Sequence, residues 1–189
     1  GDLHNPCQRQ AALQAIGFTC EVVDPAVLAA QSNEILTAVI QGARKEETSP
    51  EVQLAALRAL LNSLEFVRLN FEREGERNFI MQVVCEATQS PHVAVKVAAF
   101  ENLVRIMQLY YDKMRFYMEQ ALFGLTVLGM RDPEPHVALQ AVEFWSTVCD
   151  EEIELSLEAA EALEFNEEPA HVSYHFAQIA LPEIAPVLM

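Results

Sequence analysis

Two histidines four residues apart have a spacing that suits zinc chemistry. His171 and His175 would lie on one face of a helix, as pairs of zinc ligands often do. The sequence fixes no set of cysteines or carboxylates beside them that would complete the coordination. We therefore interpret both as surface histidines, and we expect the chain to bind no metal and no cofactor.

The cysteines show no pattern of metal or redox chemistry. They form no CxxC pair and lie among apolar residues, which predicts reduced, buried thiols in an intracellular protein. Glycine-rich phosphate loops, nucleophile elbows and HExxH motifs do not occur in the sequence. We expect no catalytic residue and predict that the protein is not an enzyme. The four cysteines are Cys7, Cys20, Cys85 and Cys149.

The charge balance is strongly acidic. Lys and Arg total 12 against 28 Asp and Glu, which gives a net charge of −16 and disfavours nucleic acid as a partner. A basic partner fits better, although acidity can also serve solubility alone. Between residues 150 and 168 there are nine acidic residues and no basic one. By default such a stretch is a solvated charged surface.

The sequence contains no signal peptide and no uncharged stretch of the roughly 18 residues that a membrane span requires. We therefore expect a soluble intracellular protein that has no membrane contact.

The apolar residues recur in a long period. Four stretches carry apolar residues three and four apart, the spacing of one helix face, and each has a proline near its start. A further helical stretch precedes each of the last three, and within these Leu36 aligns with Phe79 and Ala121. One small residue recurs at steps of 44, 43 and 42, where two helices must approach closely: Ala12, Ala56, Ala99 and Ala141.

The repeating unit is therefore a helical hairpin of 42 to 44 residues, within the HEAT range. One hairpin cannot bury both of its faces, so neighbours must stack into a solenoid. We predict an all-α fold, an α-α superhelix of about four HEAT-type hairpins, over a single globular bundle.

The predicted segments follow from this period. Because neither end has the polar cap that a solenoid requires, we expect a piece of a longer array. The segments are a second helix of a truncated repeat at 1–24, repeats at 32–68, 76–111 and 116–150, a partly helical acidic connection at 151–175, and a first helix of a truncated repeat at 176–189.

Four uninterrupted blocks resemble the importin-β family of nuclear transport receptors. They are SNEILTAVIQG at 32–42, LLNSLEF at 60–66, FIMQVVCEAT at 79–88 and EFWSTVCDEE at 143–152. The resemblance covers nearly the whole chain and is weakest at 1–12 and 155–176. It implies a nuclear import receptor built from HEAT repeats, in which the first helix of each hairpin lies on the convex outside and the second on the concave inside.

The resemblance also implies partners and a location. The family carries cargo into the nucleus, either directly or through the basic segment of the importin-α adaptor, and it crosses the nuclear pore by binding Phe-Gly repeats of nucleoporins. Ran-GTP releases the cargo from the full-length protein. We expect weak or absent Ran-GTP binding here, because the family's first repeats and acidic loop fall outside this chain. The implied location is the cytoplasm, the nucleus and the nuclear envelope at the pore.

The family's principal Phe-Gly site lies between neighbouring outer helices. The positions that match it here lie on two predicted helices, and the alternative is that these residues only pack one hairpin on the next. A second slot of the same kind is expected between the helix of Phe79 and the helix 117–128. The principal site matches Leu36, Thr37, Ile40, Glu76, Phe79 and Ile80, and the second slot would use Tyr117, Leu122 and Phe123.

The family binds basic cargo through acidic side chains and exposed tryptophans on its inner surface. Trp145 and the run Asp150, Glu151 and Glu152 are therefore candidate cargo contacts. Against this, Trp145 occupies the same position of the repeating unit as Ile16, and that position is expected to lie in the core.

The alternative function is a HEAT-repeat scaffold subunit of another complex, such as a phosphatase. Repeats of that family are shorter and more uniform, and the four blocks do not belong to it. A scaffold of that kind should not bind Phe-Gly peptides.

Overall fold

The structure is a computed structural model that describes residues 5–189, and every regular element in that range is helical. Residues 1–4 of the first predicted segment lie outside the described range. Met118–Leu122 form a π-helical turn. In chain order the helices are α1 (Pro6–Val22), α2 (Pro25–Leu28), α3 (Ser32–Ala43), α4 (Pro50–Ser63), α5 (Arg68–Glu72), α6 (Glu74–Ala87), α7 (Val93–Tyr110), α8 (Arg115–Tyr117), α9 (Phe123–Met130), α10 (Pro135–Glu164) and α11 (Phe176–Leu188).

The chain divides into two compact units. The first ends at Arg105 and the second begins at Ile106, so the boundary falls within α7. The first unit contains α1 to α6, and the second contains α8 to α11. None of the helices within residues 5–189 has both the length and the apolarity needed to cross a bilayer.

Prolines and capping side chains define where several helices begin. α1 and α4 each have proline in the first turn, where no backbone hydrogen bond is lost. The side chain of Asn5 accepts a hydrogen bond from the backbone N–H of Cys7 at 2.9 Å. Ser49 Oγ accepts one from the N–H of Val52 at 3.4 Å. These caps satisfy N–H groups that have no partner inside the helix.

Small residues allow the helices of the first unit to approach closely. A side chain at Gly17 on α1 would bring its Cβ to 3.4 Å from the Cα of Ala59 on α4. A Cβ at Gly42 on α3 would lie 2.8 Å from Leu13 Cδ1 and 3.0 Å from Ala56 Cβ. The contact at Gly17 is ordinary van der Waals contact, whereas a side chain at Gly42 would force Leu13 or Ala56 to shift.

The recurring alanine column is buried at three of its four positions. Ala56, Ala99 and Ala141 are fully buried, as the repeat predicts. Ala12 is exposed, so this part of the prediction is wrong. α1 instead buries Leu13, Gly17 and Cys20, because Leu13 and Gly17 lie on the face that meets α3 and α4.

The acidic segment is partly helical, and its helical part is a continuation of α10. α10 runs unbroken from Pro135 to Glu164, so residues 151–164 continue the helix and only 165–175 connect it to α11. The reason is local composition. The stretch ELSLEAAEALE consists mainly of strong helix formers, and no proline follows until Pro169.

We predict that Gly42→Val destabilises the protein by about 1–3 kcal/mol, because the new side chain overlaps Leu13 and Ala56. Urea unfolding followed by circular dichroism measures the change. Gly124→Ala is the matched control, since a Cβ there meets nothing within 4 Å. This control should be neutral or stabilising by up to roughly 1 kcal/mol. Equal stability of Gly42→Val and wild type would contradict the close approach of these helices.

Candidate functional site

A groove of about 550 Å³ lies between α3 and α6 in the first compact unit. All six residues that the family resemblance assigns to the principal Phe-Gly site line it, so the fold brings them to one surface. The other lining residues are polar. The groove is lined by Asn33, Leu36, Thr37, Ile40, Gln41, Arg44, Asn70, Glu76, Phe79 and Ile80.

The apolar part of the groove combines buried aliphatic side chains with one exposed aromatic ring. Leu36 and Ile40 lie one turn apart on α3 and are 7% and 4% exposed. On α6, Ile80 is 1% exposed, whereas Phe79 is 46% exposed. The hydroxyl of Thr37 donates to the backbone carbonyl of Asn33 at 2.7 Å, so its proton is used inside α3. This lining can receive a flat apolar side chain.

A hydrogen-bonded network forms the polar edge of the groove. Asn70 on α5 donates from Nδ2 to Asn33 Oδ1 at 2.8 Å and to Glu76 Oε2 at 2.6 Å. Arg73 donates to Glu76 Oε1 at 2.9 Å. The hydrogen bonds from Arg73 and Asn70 hold the pKa of the Glu76 carboxyl below its usual range. The groove therefore keeps an ionised carboxylate at its edge at neutral pH.

The second predicted slot remains a prediction, since its walls would come from both compact units. Tyr117 and Leu122 are buried, at 8% and 1% exposure. Phe123 is partly exposed and contacts Trp145 edge to face, with the ring centroids 5.9 Å apart.

A larger groove, of about 770 Å³, lies within the second unit, between α11 and the segment that contains α8 and α9. Sequence reasoning missed it. Phe123 lines it from α9, and Phe176 and Ile179, three residues apart, line it from α11. That spacing on a predicted first helix was the signal that could have identified it. Its other lining residues are Arg115, Met118, Glu119, Gln120, Ala121, Gly124, Val172, Ser173 and Tyr174.

Stacked aromatic rings build one side of this second groove. The ring centroid of Tyr174 lies 5.7 Å from that of Tyr111 and 5.4 Å from that of Phe176. The guanidinium of Arg115 lies 5.6 Å from the centroid of the Tyr174 ring, within cation–π range. The groove therefore presents aromatic faces beside a cation.

Trp145 is a core residue, so its assignment as a cargo contact is wrong. It is 3% exposed, and its Nε1–H donates to Thr126 Oγ1 at 2.9 Å. Its ring also packs edge to face on Phe144, with the centroids 5.7 Å apart. The core position that the repeat column indicated is the correct one.

Glu152 is also unavailable to a cargo, because it is 8% exposed and fixes the start of α11. Its Oε2 accepts from the backbone N–H of Phe176 and its Oε1 from that of Ala177, both at 2.8 Å. Tyr111 Oη and Ser173 Oγ donate to Oε2 at 2.7 and 3.1 Å. A carboxylate at a helix N-terminus is favourable because it meets free N–H groups and the positive end of the dipole.

The remaining acidic candidates lie at the surface of α10. Asp150 is exposed and Glu151 is partly exposed. Burial, together with the charges of Glu154 and Asp150, raises the pKa of Glu151. Both residues remain candidates for contact with a basic partner.

The histidines and cysteines depart from part of their predictions. His171 and His175 lie in the connection before α11, not on one helix face, and Nδ1 of His171 lies 3.1 Å from Glu158 Oε1. Within residues 5–189, no group of three or more histidine, cysteine or acidic residues could hold a metal.

The cysteines differ in exposure. Cys20 is buried. The burial of Cys85 raises the pKa of its own thiol to about 12. Two thiols are exposed, contrary to prediction: Cys7 and Cys149.

We predict that Glu152→Gln lowers the stability of the second unit by about 1–3 kcal/mol, because charge-assisted hydrogen bonds to buried donors are lost. Glu154→Gln, at an exposed position of the same helix, should change stability by less than about 0.5 kcal/mol. Thermal unfolding of both variants gives the comparison. Equal effects from the two substitutions would refute the capping role of Glu152.

Comparison with known proteins shows the relatives of the chain. No protein-family model matches it. Importin subunit beta-1 of Schizosaccharomyces pombe is 62% identical over 181 residues, which cover 96% of this chain and 21% of that protein. The chain thus spans about a fifth of the length of the curated relatives it matches.

Solved structures agree with this relationship. A structure of yeast importin-β, Kap95p, superimposes with a TM-score of 0.93 at 47% identity, over 100% of this chain and 22% of that one. A Kap95:Nup1 complex gives a TM-score of 0.86 at 49% identity, over 95% and 21% of the two chains. A structure of Kap95p with RanGDP gives 0.81 at 46% identity, over 95% and 19%.

These superpositions confirm the predicted all-α fold of HEAT repeats. The relatives bear the names of importin subunits, in agreement with the prediction that the chain is not an enzyme. With this degree of identity along 96% of its length, the chain belongs to the importin-β family.

Proposed function

We propose that this chain acts as part of a nuclear import receptor and that the groove between α3 and α6 binds Phe-Gly segments of nucleoporins. The observation that carries the proposal is the groove itself. Six residues from two helices, matched to the family's Phe-Gly site by sequence, line one open apolar surface. The exposed ring of Phe79 beside the buried Ile40 and Ile80 offers contact to a ligand phenylalanine.

The apolar lining suits a weak, rapidly exchanging ligand. Burying one phenylalanine side chain, on the order of 150 Å², contributes at most roughly 4 kcal/mol before the cost of association is subtracted, so one such contact gives a Kd of about 1 mM or weaker. With an association rate constant of about 10⁶ M⁻¹ s⁻¹, such a ligand would dissociate about a thousand times per second. Transit through a pore by repeated contacts requires exchange of this kind.

The polar edge suits the backbone of the same ligand. The carboxylate of Glu76 retains free lone pairs after accepting from Asn70 and Arg73, so it can accept a backbone N–H of the peptide. Glycine next to the phenylalanine would let the peptide backbone approach this edge, because it has no Cβ.

The groove of the second unit is a further candidate for the same chemistry. It is larger, and its aromatic rings include Phe123 and Tyr174. A ligand phenylalanine can pack there against aromatic faces at favourable edge or offset geometry. We propose that this groove provides a second aromatic-binding site.

Other partners belong to the proposal for the whole protein. Solved complexes of Kap95 with Nup1 and with Ran support nucleoporins and Ran as partners. We propose that Ran-GTP binds the longer protein and that this segment alone binds it weakly or not at all. Asp150 and Glu151 would contribute to binding basic cargo or the importin-α adaptor. The proposal implies a protein that moves between cytoplasm and nucleus and contacts the pore.

We predict that Phe79→Ala and Ile40→Asp each weaken binding of a fluorescent Phe-x-Phe-Gly peptide by at least about tenfold, because they remove or charge the apolar contact. Fluorescence anisotropy measures the Kd, and circular dichroism verifies folding. Phe18→Ala, which removes an exposed phenylalanine on α1 outside the groove, is the matched control and should bind as wild type does. A folded wild-type chain that does not bind the peptide would overturn the proposed function and favour a scaffold role.

We predict that Ile179→Asp reduces the number of Phe-Gly peptides bound per chain from two to one, because the charge blocks the groove of the second unit. NMR titration of both grooves measures the stoichiometry. Leu181→Asp, at a similarly exposed position that does not line the groove, should leave two sites. Two sites in Ile179→Asp would show that the second groove does not bind the peptide.

A further inference from the structure

We infer that Asn70 is a positioning residue of the α3–α6 groove, whose side-chain amide ties the two walls together and sets their separation for a ligand ring. The inference rests on the proposed Phe-Gly function of the groove. Asn70 does not belong to the six residues that match the family's site, and its contribution would be to the shape of the groove.

The contacts of Asn70 join three helices. It lies on α5 and is 2% exposed. Its Nδ2 donates to Asn33 Oδ1 on α3 at 2.8 Å and to Glu76 Oε2 on α6 at 2.6 Å. A side-chain amide has two N–H protons, and both are used. One buried group thereby links the two walls of the groove through the short helix between α4 and α6.

The orientation of this amide is fixed by its acceptors. The Oδ1 atom of Asn70 is buried and has no hydrogen-bond partner. A flipped amide would direct this oxygen at a carboxylate and at another amide oxygen, which repel it. Both protons of the Asn70 amide are thereby directed at the two walls of the groove.

The tie also fixes the charged edge of the groove. Asn70 and Arg73 each donate a hydrogen bond to one oxygen of Glu76. Both hydrogen bonds lower the pKa of this carboxyl, and the one from Arg73 has the larger effect. The other charged group that lines the groove is Arg44, at the end of α3. The Glu76 carboxylate therefore stays ionised and aimed before any ligand arrives.

Preorganisation of this kind strengthens binding. Without the two hydrogen bonds of Asn70, α3 and α6 could move apart. A ligand would then have to fix the separation of these helices when it binds, which would lower its affinity. Losing hydrogen bonds to a charged group at this position should therefore weaken a Phe-Gly ligand by about tenfold.

A matched pair of substitutions separates positioning from simple stability. Asn70→Asp keeps the size of the side chain but removes both donors and brings a second carboxylate beside Glu76. Asn102→Asp makes the same change at another fully buried asparagine of the first unit. Asn102 donates to the backbone oxygens of Leu57 and Ala98 at 3.0 and 2.8 Å, and its Oδ1 also has no partner. It does not line the groove.

The test measures the Kd of the Phe-x-Phe-Gly peptide for both variants of the full 189-residue chain, together with urea unfolding. We expect both variants to lose stability, and only Asn70→Asp to lose about tenfold in affinity. If wild type does not bind the peptide, the proposed function fails and this inference fails with it. If wild type binds and Asn70→Asp binds equally well, only this inference is overturned.

Two further variants keep the test decisive if Asn70→Asp does not fold. Asn33→Ala removes the acceptor on α3 at an exposed position, and it should weaken the peptide by about threefold. In Asn70→Ala, an NMR titration should show a raised pKa for Glu76, because one donor to its carboxylate is gone. This shift reports the loss of the hydrogen bond between Asn70 and Glu76, which Asn102→Asp leaves intact. An unchanged pKa or an unchanged affinity would overturn the inference.

Discussion

The close packing of α1 on α4 is the constraint on which the first unit depends. Gly17 and Ala59 stand where these helices meet, and a Cβ at Gly17 would already be in van der Waals contact with the backbone of α4. α3 and α6 carry leucine, isoleucine and phenylalanine on their facing sides, and an open groove separates them. A groove of about 240 Å³ also lies along α1 and α4. The groove between α3 and α6 is larger, at about 550 Å³, and large apolar side chains line it.

Buried polar groups then fix the helices that line the grooves. In the first unit, Asn70 links α3 to α6 through Asn33 and Glu76. In the second unit, the Glu152 carboxylate fixes the start of α11 and so positions Phe176. Both groups are buried, and both make bonds that would be costly to leave unmade. The apolar linings supply weak contact with a ligand, and these polar groups supply the fixed geometry around it.

The sequence predicted the repeat better than the details of the site. Helical period and proline positions predicted an all-α repeat fold, because both follow from local geometry. Resemblance to a family, not periodicity, identified the groove residues, since Leu36 and Ile40 have the spacing of any core face. The role of Glu152 was missed because its partners lie 24 and 25 residues further along the chain. Burial of Trp145 was signalled by its repeat column, and the acidic composition of α10 concealed how far its helix continues.

Binding of a Phe-Gly peptide in the α3–α6 groove can be observed by an isotope-filtered NMR experiment on the chain with the peptide bound. It detects which protein methyl groups lie within about 5 Å of the peptide's phenylalanine ring, roughly the range of packing contact between aromatic and aliphatic groups. If the peptide binds in the groove between α3 and α6, we expect contacts from that ring to the methyls of Leu36, Ile40 and Ile80. Contacts confined to methyls outside this groove, such as those of Leu54 on α4, would contradict binding there.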